Sequence, residues 1–338
     1  SAATSLTTKA DVATYQLTYS NGLSTTNGAY FIAPGASQSW QITAAPLTVT
    51  ATQVTKSYDG TLNASGLGSV GTLAGASGGD VINSSGIQSF LDKNAGIGIK
   101  VVRASGISIK DSLGADMTIN YNITYVDNTT STINPAALTV TASQVTKTYD
   151  GTLSASGSGV AGVLAGAAAG DVINSSGSQA FTDKNAGTGN KTVRASGVTI
   201  KDATNANMTG NYSISYVDNT TSTIDKKPFY LTSGITAADK TYDGNTSASI
   251  NTSNVISSGL VLGDIITGAV ASGQFVNKDT GTKSVNISSA YLLGTDASNY
   301  AVSVTQPFIT ATINKASATV TADSLVTTYN GATQFLLS

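Results

Sequence analysis

The sequence predicts an all-β protein, a tandem array of small β domains, sandwich or β-grasp-like, strung into an elongated rod. Three observations carry this. A five-residue tag recurs as Lys56-Ser57-Tyr58-Asp59-Gly60, Lys147-Thr148-Tyr149-Asp150-Gly151 and Lys240-Thr241-Tyr242-Asp243-Gly244, with a weaker copy at Thr328-Tyr329-Asn330-Gly331. Its tyrosines stand 91, 93 and 87 residues apart, too far for a solenoid or propeller unit and right for one small domain. Between the tags, short alternating runs rich in Thr, Val and Ile are parted by Gly, Asn and Asp turns. The composition agrees: all 19 acidic residues are Asp, so the good helix former Glu is missing.

Read in register, the elements come in a fixed order. Residues 1–44 form the end of a preceding repeat or an atypical module. Within them, Tyr15-Gln16-Leu17-Thr18-Tyr19 is similar to a closing strand, and an insert carrying Trp40 precedes Pro46. Residues 45–135, 136–225 and 226–315 are three full repeats, and 316–338 open a truncated fourth. Both ends thus look cut from a longer array. Each full repeat starts with an alternating run, Leu47-Thr48-Val49-Thr50-Ala51 and Leu138-Thr139-Val140-Thr141-Ala142 in the first two, which leads into the tag. A Gly-Asp-Val/Ile step follows at Gly79-Asp80, Gly170-Asp171 and Gly263-Asp264. Just before the second of these, the run from Val163 to Ala169 suits a short helical turn that Gly170 would stop.

Next comes the turn Asp92-Lys93-Asn94-Ala95-Gly96, repeated from Asp183 and, altered, from Asn277. Another alternating stretch leads to the closing Asn-Tyr strands at Asn120-Tyr121, Asn211-Tyr212 and Asn299-Tyr300. Handovers are short, and Pro135 and Pro228 stiffen two of them by fixing φ. Successive repeats are therefore expected to abut.

Composition also limits function. The chain has no His and no Cys, hence no side chain that titrates near neutrality unperturbed, no thiol nucleophile and no thiolate metal site. Net charge is −2, and Arg103 and Arg194 occupy equivalent repeat positions instead of forming a basic patch, so nucleic acid is not an expected partner. No apolar run is long enough for a membrane span. The expectation is a non-enzymatic chain without catalytic residues, cofactor or resident metal. Lack of Cys suits an extracellular bacterial surface protein that crosses envelopes unfolded, though cytosolic proteins lack Cys too.

The recurring Lys-Ser/Thr-Tyr-Asp-Gly opening, the central Gly-Asp step, the Asp-Lys-Asn-Ala-Gly turn and the Asn-Tyr closing strand resemble YDG repeats and the related MBG modules. The resemblance covers residues 45–338. Such repeats occur in large bacterial haemagglutinin-like adhesins, many exported by two-partner secretion. It implies an extracellular or cell-surface stalk that supports attachment or biofilm formation. It further implies an outer-membrane secretion partner, a host-cell or matrix surface met by other regions, and possible contact between neighbouring copies. The alternative is repeats that themselves bind glycan or matrix polymer weakly, with avidity from repetition, or that self-associate between chains.

The side chains singled out by recurrence are Tyr58, Asp59, Gly60, Tyr149, Asp150, Gly151, Tyr242, Asp243, Gly244, Tyr329, Asn330 and Gly331. The reading is structural: a tyrosine packed on its own repeat's core, an Asp accepting backbone hydrogen bonds in an Asx turn, and a Gly at positive φ. The Asp-Lys-Asn turns offer too few carboxylates for calcium and read as turns. Recurrent lysines such as Lys56, Lys93 and Lys100 could form Lys–Asn isopeptide bonds if Asp80, Asp171 or Asp264 acted as the buried acid; the plainer reading is solvated lysine. Triplets such as Asn83-Ser84-Ser85 permit glycosylation without signalling it.

Overall fold

A leading strand with Leu47 and Val49 buried and its threonines exposed sets the pattern of every repeat: one face apolar, the other wet. The computed structural model describes residues 10–17, 38–306, 308–321, 328, 329 and 331. In the first repeat the strands are β1 (Ala45–Thr50), β2 (Thr55–Ser57), β3 (Asn63–Ala64), β4 (Ser69–Val70), β5 (Val81–Phe90), β6 (Gly96–Lys110), β7 (Tyr121–Val126) and β8 (Asn128–Asn134). They form a three-stranded sheet, β4-β1-β7, and a five-stranded sheet, β2-β8-β6-β5-β3. The fold is all-β and tandemly repeated, as the alternation and the period predict.

Two pairings are parallel and join the start of the repeat to its end. β1 lies along β7 with Ala45 opposite Tyr121, and β2 lies along β8 with Lys56 opposite Ile133. The remaining pairings are antiparallel, the longest being the β5–β6 hairpin. Val49, Phe90, Val102, Ile109 and Ile133 are all at most 1% exposed and fill the core. Burying side chains of this size contributes about 1.5–3 kcal/mol each.

The second repeat reproduces this plan. Ala136–Thr141 runs parallel to Tyr212–Val217, and Thr146–Thr148 parallel to Asn219–Asp225. The stretch from Val163 does close with a single 3-10 turn, Ala167–Ala169, ended by Gly170 at φ 95°. A matching turn at Ala76–Gly78 went unforeseen. In the third repeat Lys227–Ser233 pairs with Tyr300–Val304, and Lys240–Thr241 with Thr310–Asn314, again parallel.

Contacts group the chain into two compact units. One comprises Ser1–Ser143, Gly157–Gln179 and Arg194–Asp218; the other comprises Gln144–Ser156, Ala180–Val193 and Asn219–Ser338. The partition follows packing and not the sequence period: part of the second repeat belongs with the first, and its tag belongs with the third.

Candidate functional site: the tag and its socket

Inside each of the three full tags the lysine, not solvent, organises the turn. Lys56 Nζ sits 2.8 Å from Asp59 Oδ1, donates to the Thr61 carbonyl at 2.8 Å, and lies 5.4 Å from the Phe90 ring centroid. Asp59 Oδ1 accepts the Thr61 N–H at 2.9 Å, which is the expected Asx turn. Gly60 follows at φ +73°, where a Cβ would be strained. The same arrangement recurs around Lys147, Asp150 and Thr152 with Phe181, and around Lys240, Asp243 and Asn245 with Phe275. The reading of these lysines as solvated is thus corrected: half-buried, they are held by a carboxylate, a carbonyl and a ring. The Phe partners were missed, although they recur with the tag's own period. Tyr329 is exposed and Gly331 has φ +74°, while Asn330 lies outside the described residues.

The strand layout carries each tyrosine past its own repeat. Tyr58 N–H donates to the Asn134 carbonyl at 2.8 Å, so the tag is pinned beside the exit of its repeat. Two residues later Ala136 opens the next repeat, and Ala136 stands opposite Tyr212. Tyr58 therefore meets the second repeat at its entrance. Its ring packs edge-on against Tyr212 with centroids 5.5 Å apart. Its hydroxyl donates to Asp171 Oδ2 at 2.9 Å, and Tyr212 donates to the same oxygen at 2.8 Å. The Tyr212 oxygen in turn accepts the Gly166 N–H at 2.9 Å. Beside this group Asn211 Oδ1 accepts the Ala95 N–H at 2.8 Å, and Asn211 Nδ2 donates to Asn94 Oδ1 at 3.0 Å. Tyr58 is 1% exposed and Asp171 2%. The expectation that Tyr58 packs on its own repeat's core is corrected: it is buried, but its hydroxyl and ring edge serve the following repeat.

Gly166 is required here for space, not for its φ. A Cβ on it would overlap Asp171 Oδ2 and come within 2.9 Å of the Tyr212 hydroxyl. Gly75 is placed in the same way against Asp80 and Tyr121. Gly60 completes the fit from the tag side, since a Cβ there would come 2.5 Å from Ala169 Cβ.

Within the second unit the same device joins the second tag to the third repeat. Tyr149 donates to Asp264 Oδ1 at 2.9 Å, Tyr300 to Asp264 Oδ2 at 2.5 Å, and the Val261 N–H to the Tyr300 hydroxyl at 2.9 Å. Asn299 Oδ1 accepts the Ala186 N–H at 2.8 Å and its amide donates to Asn185 at 3.2 Å. Lys184 Nζ adds an ion pair 3.7 Å from Asp264 and another 3.8 Å from Asp296.

Burial, then the hydrogen bond to a carboxylate and its charge, raise the pKa of Tyr58 and Tyr149 far above a free phenol's. By burial first and the carboxylate second, Tyr212 and Tyr300 are pushed up to about 12. All four stay protonated donors at neutral pH, which the carboxylate needs. Charge-assisted bonds of this kind are about twice as strong as neutral ones.

The isopeptide expectation meets a different arrangement. Lys56 pairs with Asp59 and Lys100 with Asp92, while Asp171 takes two tyrosine hydroxyls. The Asp92 carboxylate also caps the Asn94 N–H at 3.0 Å, a turn as read. Among the described residues no group of three or more acidic side chains is placed to hold a metal, and no helix is long and apolar enough to cross a membrane.

Comparison with known proteins gives one family. The YDG domain model matches three times in tandem, over residues 43–131, 134–222 and 225–307. No curated protein and no solved structure matches the chain. With three tandem matches over most of its length, each carrying the tag and the Gly-Asp and Asn-Tyr elements of the socket, the chain belongs to the YDG domain family.

Proposed function

We propose that this chain is a stalk or spacer segment of a secreted or surface-anchored bacterial adhesin, supporting attachment or biofilm formation. The observation that supports this reading is the use made of the recurring side chains. Tyr58 and Tyr149, the most conspicuous candidates for ligand contacts, are 1% exposed and spent on holding the next repeat. A glycan-binding repeat would instead present aromatic rings to solvent at equivalent places in every copy. The function is mechanical, not enzymatic: residues 45–315 project a distal binding region toward a host-cell or matrix surface. An outer-membrane secretion partner and an extracellular location belong to the same proposal. The alternative, weak glycan or matrix binding by the repeats themselves, predicts affinity that climbs steeply with repeat number.

The test removes one repeat in register. Tyr121 and Tyr212 are 91 residues apart, so excision of residues 136–226 from the parent protein joins Pro135 to Lys227 without shifting any strand's faces. It leaves Tyr58 facing Asp264 and Tyr300. The expected result is a folded protein of shorter reach, with adhesion reduced only as reach is lost. Binding of cells or polysaccharide by the purified chain alone would replace this reading with the alternative.

A further inference from the structure

The chain enters and leaves each repeat on strands that run side by side in the same direction. In the first repeat β1 lies along β7 from Ala45 opposite Tyr121 to Thr50 opposite Val126. β2 then lies along β8 from Thr55 opposite Thr132 to Ser57 opposite Asn134. The partner stands 76 residues ahead throughout the first run and 77 throughout the second, so a slip of one residue is all that separates them. The interval is bridged: the Ala51 N–H donates to the Val126 carbonyl at 2.8 Å, the Gln53 amide to the Thr130 carbonyl at 2.9 Å, and the Thr132 N–H to the Val54 carbonyl at 2.8 Å. The Tyr58 N–H on the Asn134 carbonyl is the last bond. Residues 45–58 and 121–134 thus form one parallel ribbon that passes from the three-stranded sheet into the five-stranded one.

The repeat's entry and exit lie at opposite ends of this ribbon. The chain arrives at Ala45, beside Tyr121, and departs after Asn134, beside Ser57. Tension along the chain therefore draws the first strand backward and the last strand forward, each along its own axis. The ribbon's hydrogen bonds cross between the strands and are evenly spaced in a parallel pair, so they take the load together. Each bond is weak, and the need to lose them at once is what raises the barrier. The buried side chains must slide with them: Leu47, Val49, Tyr58 and Ile133 are at most 2% exposed. Tyr58 ends the segment drawn backward, while Asp171 and Tyr212, which hold its side chain, belong to the repeat drawn forward. The second repeat has the same two parallel pairings with the same offsets. In the third, the pairing runs only from Lys227 opposite Tyr300 to Leu231 opposite Val304, then from Lys240 opposite Ile313 to Thr241 opposite Asn314, each run one pair shorter.

We propose that each repeat is a shear clamp, a load-bearing unit that resists tension along the chain far better than tension across its paired strands, and that the third repeat is the weakest of the three. The same bonds pulled from neighbouring strand ends would break one after another, each bearing the whole load in its turn. The biological use of the clamp rests on the stalk reading; the resistance itself follows from the strand layout alone.

The experiment is single-molecule force spectroscopy on the whole chain, whose lack of Cys lets two introduced cysteines set the line of pull. Thr43→Cys with Ala137→Cys loads the first ribbon in shear. Thr43→Cys with Ile119→Cys holds the neighbouring ends of β1 and β7 and peels that pair one bond at a time. All three positions are exposed. Forced rupture follows the unfolding barrier, so the shear pair is expected to need at least about twofold more force at the same pulling speed. Lys226→Cys with Lys315→Cys, the shear pair of the third repeat, should rupture at a lower force than that of the first. Equal forces in the two directions, or a lower force in shear, overturn the clamp, and a third repeat as strong as the first overturns the ranking. Should cysteines in the first repeat disturb its circular dichroism, Lys226→Cys with Lys315→Cys against Lys226→Cys with Ser298→Cys makes the same comparison of directions in the third. No adhesion enters these readings, so failure of the stalk reading in the repeat-excision test would leave the force ratio unchanged.

Discussion

Replacing Tyr58 and Tyr242 in turn separates a tag tyrosine buried against the following repeat from one that is 39% exposed. The two residues share sequence context, backbone anchoring and turn geometry, and differ in what lies in front of the ring. Tyr58→Ala removes a ring that is 1% exposed and packed on Tyr212, a loss of about 3–5 kcal/mol for a large aromatic. Tyr58→Phe keeps the ring but deletes the hydroxyl on Asp171 Oδ2. That carboxylate's other oxygen, Oδ1, is buried without a hydrogen-bond partner, so the lost donor costs about 1.5–3 kcal/mol. At about 2–4 °C per kcal/mol for a unit of this size, calorimetry should show the affected transition lowered by roughly 3–12 °C for Phe and more for Ala. Tyr242→Ala, at an already half-open site, should cost less than about 1 kcal/mol. Amide exchange adds a positional readout: Tyr58→Phe should accelerate exchange around Gly166–Asp171, in the next repeat. Equal destabilisation by Tyr58→Ala and Tyr242→Ala, or faster exchange confined to the first repeat, would refute the reasoning.

Two further outcomes are expected. Gly166→Ala should destabilise by about 1–3 kcal/mol, because its Cβ overlaps the Asp171 carboxylate, while Gly210→Ala, with open space around it, should be neutral in the same thermal melts. Tyrosinate absorbance should reveal a buried class among the 14 tyrosines. Tyr212 and Tyr300, raised from about 10 to about 12 when folded, contribute stability that is complete below pH 10 and lost as pH climbs toward 12. Alkaline unfolding should start in that window and move when Tyr212→Phe removes one such group; ordinary titration of every tyrosine near pH 10 would contradict the burial.

The sequence by itself determined the β class, the period and the local chemistry of the tag. Alternation fixes which face of Leu47-Thr48-Val49 is buried, and an Asp two residues before Thr61, followed by Gly60, dictates an Asx turn with positive φ. These are short-range effects, settled within a few residues. Only the tertiary structure decided what the tag tyrosine holds. Tyr58 is 22 residues from Asp80 and 113 from Asp171, and in a chain that repeats every 91 residues the two pairings carry the same signal. Recurrence of Tyr-Asp-Gly, Gly-Asp and Asn-Tyr at one period shows that they belong together, but not whether within a repeat or across two. The parallel pairings break that degeneracy. By laying each repeat's last strand beside its tag, and its first strand beside its Asn-Tyr, they bring Tyr58 next to Asn134, and Asn134 within two residues of Ala136 and its partner Tyr212. A tyrosine at the exit of one repeat then has nowhere to bury its ring except at the entrance of the next.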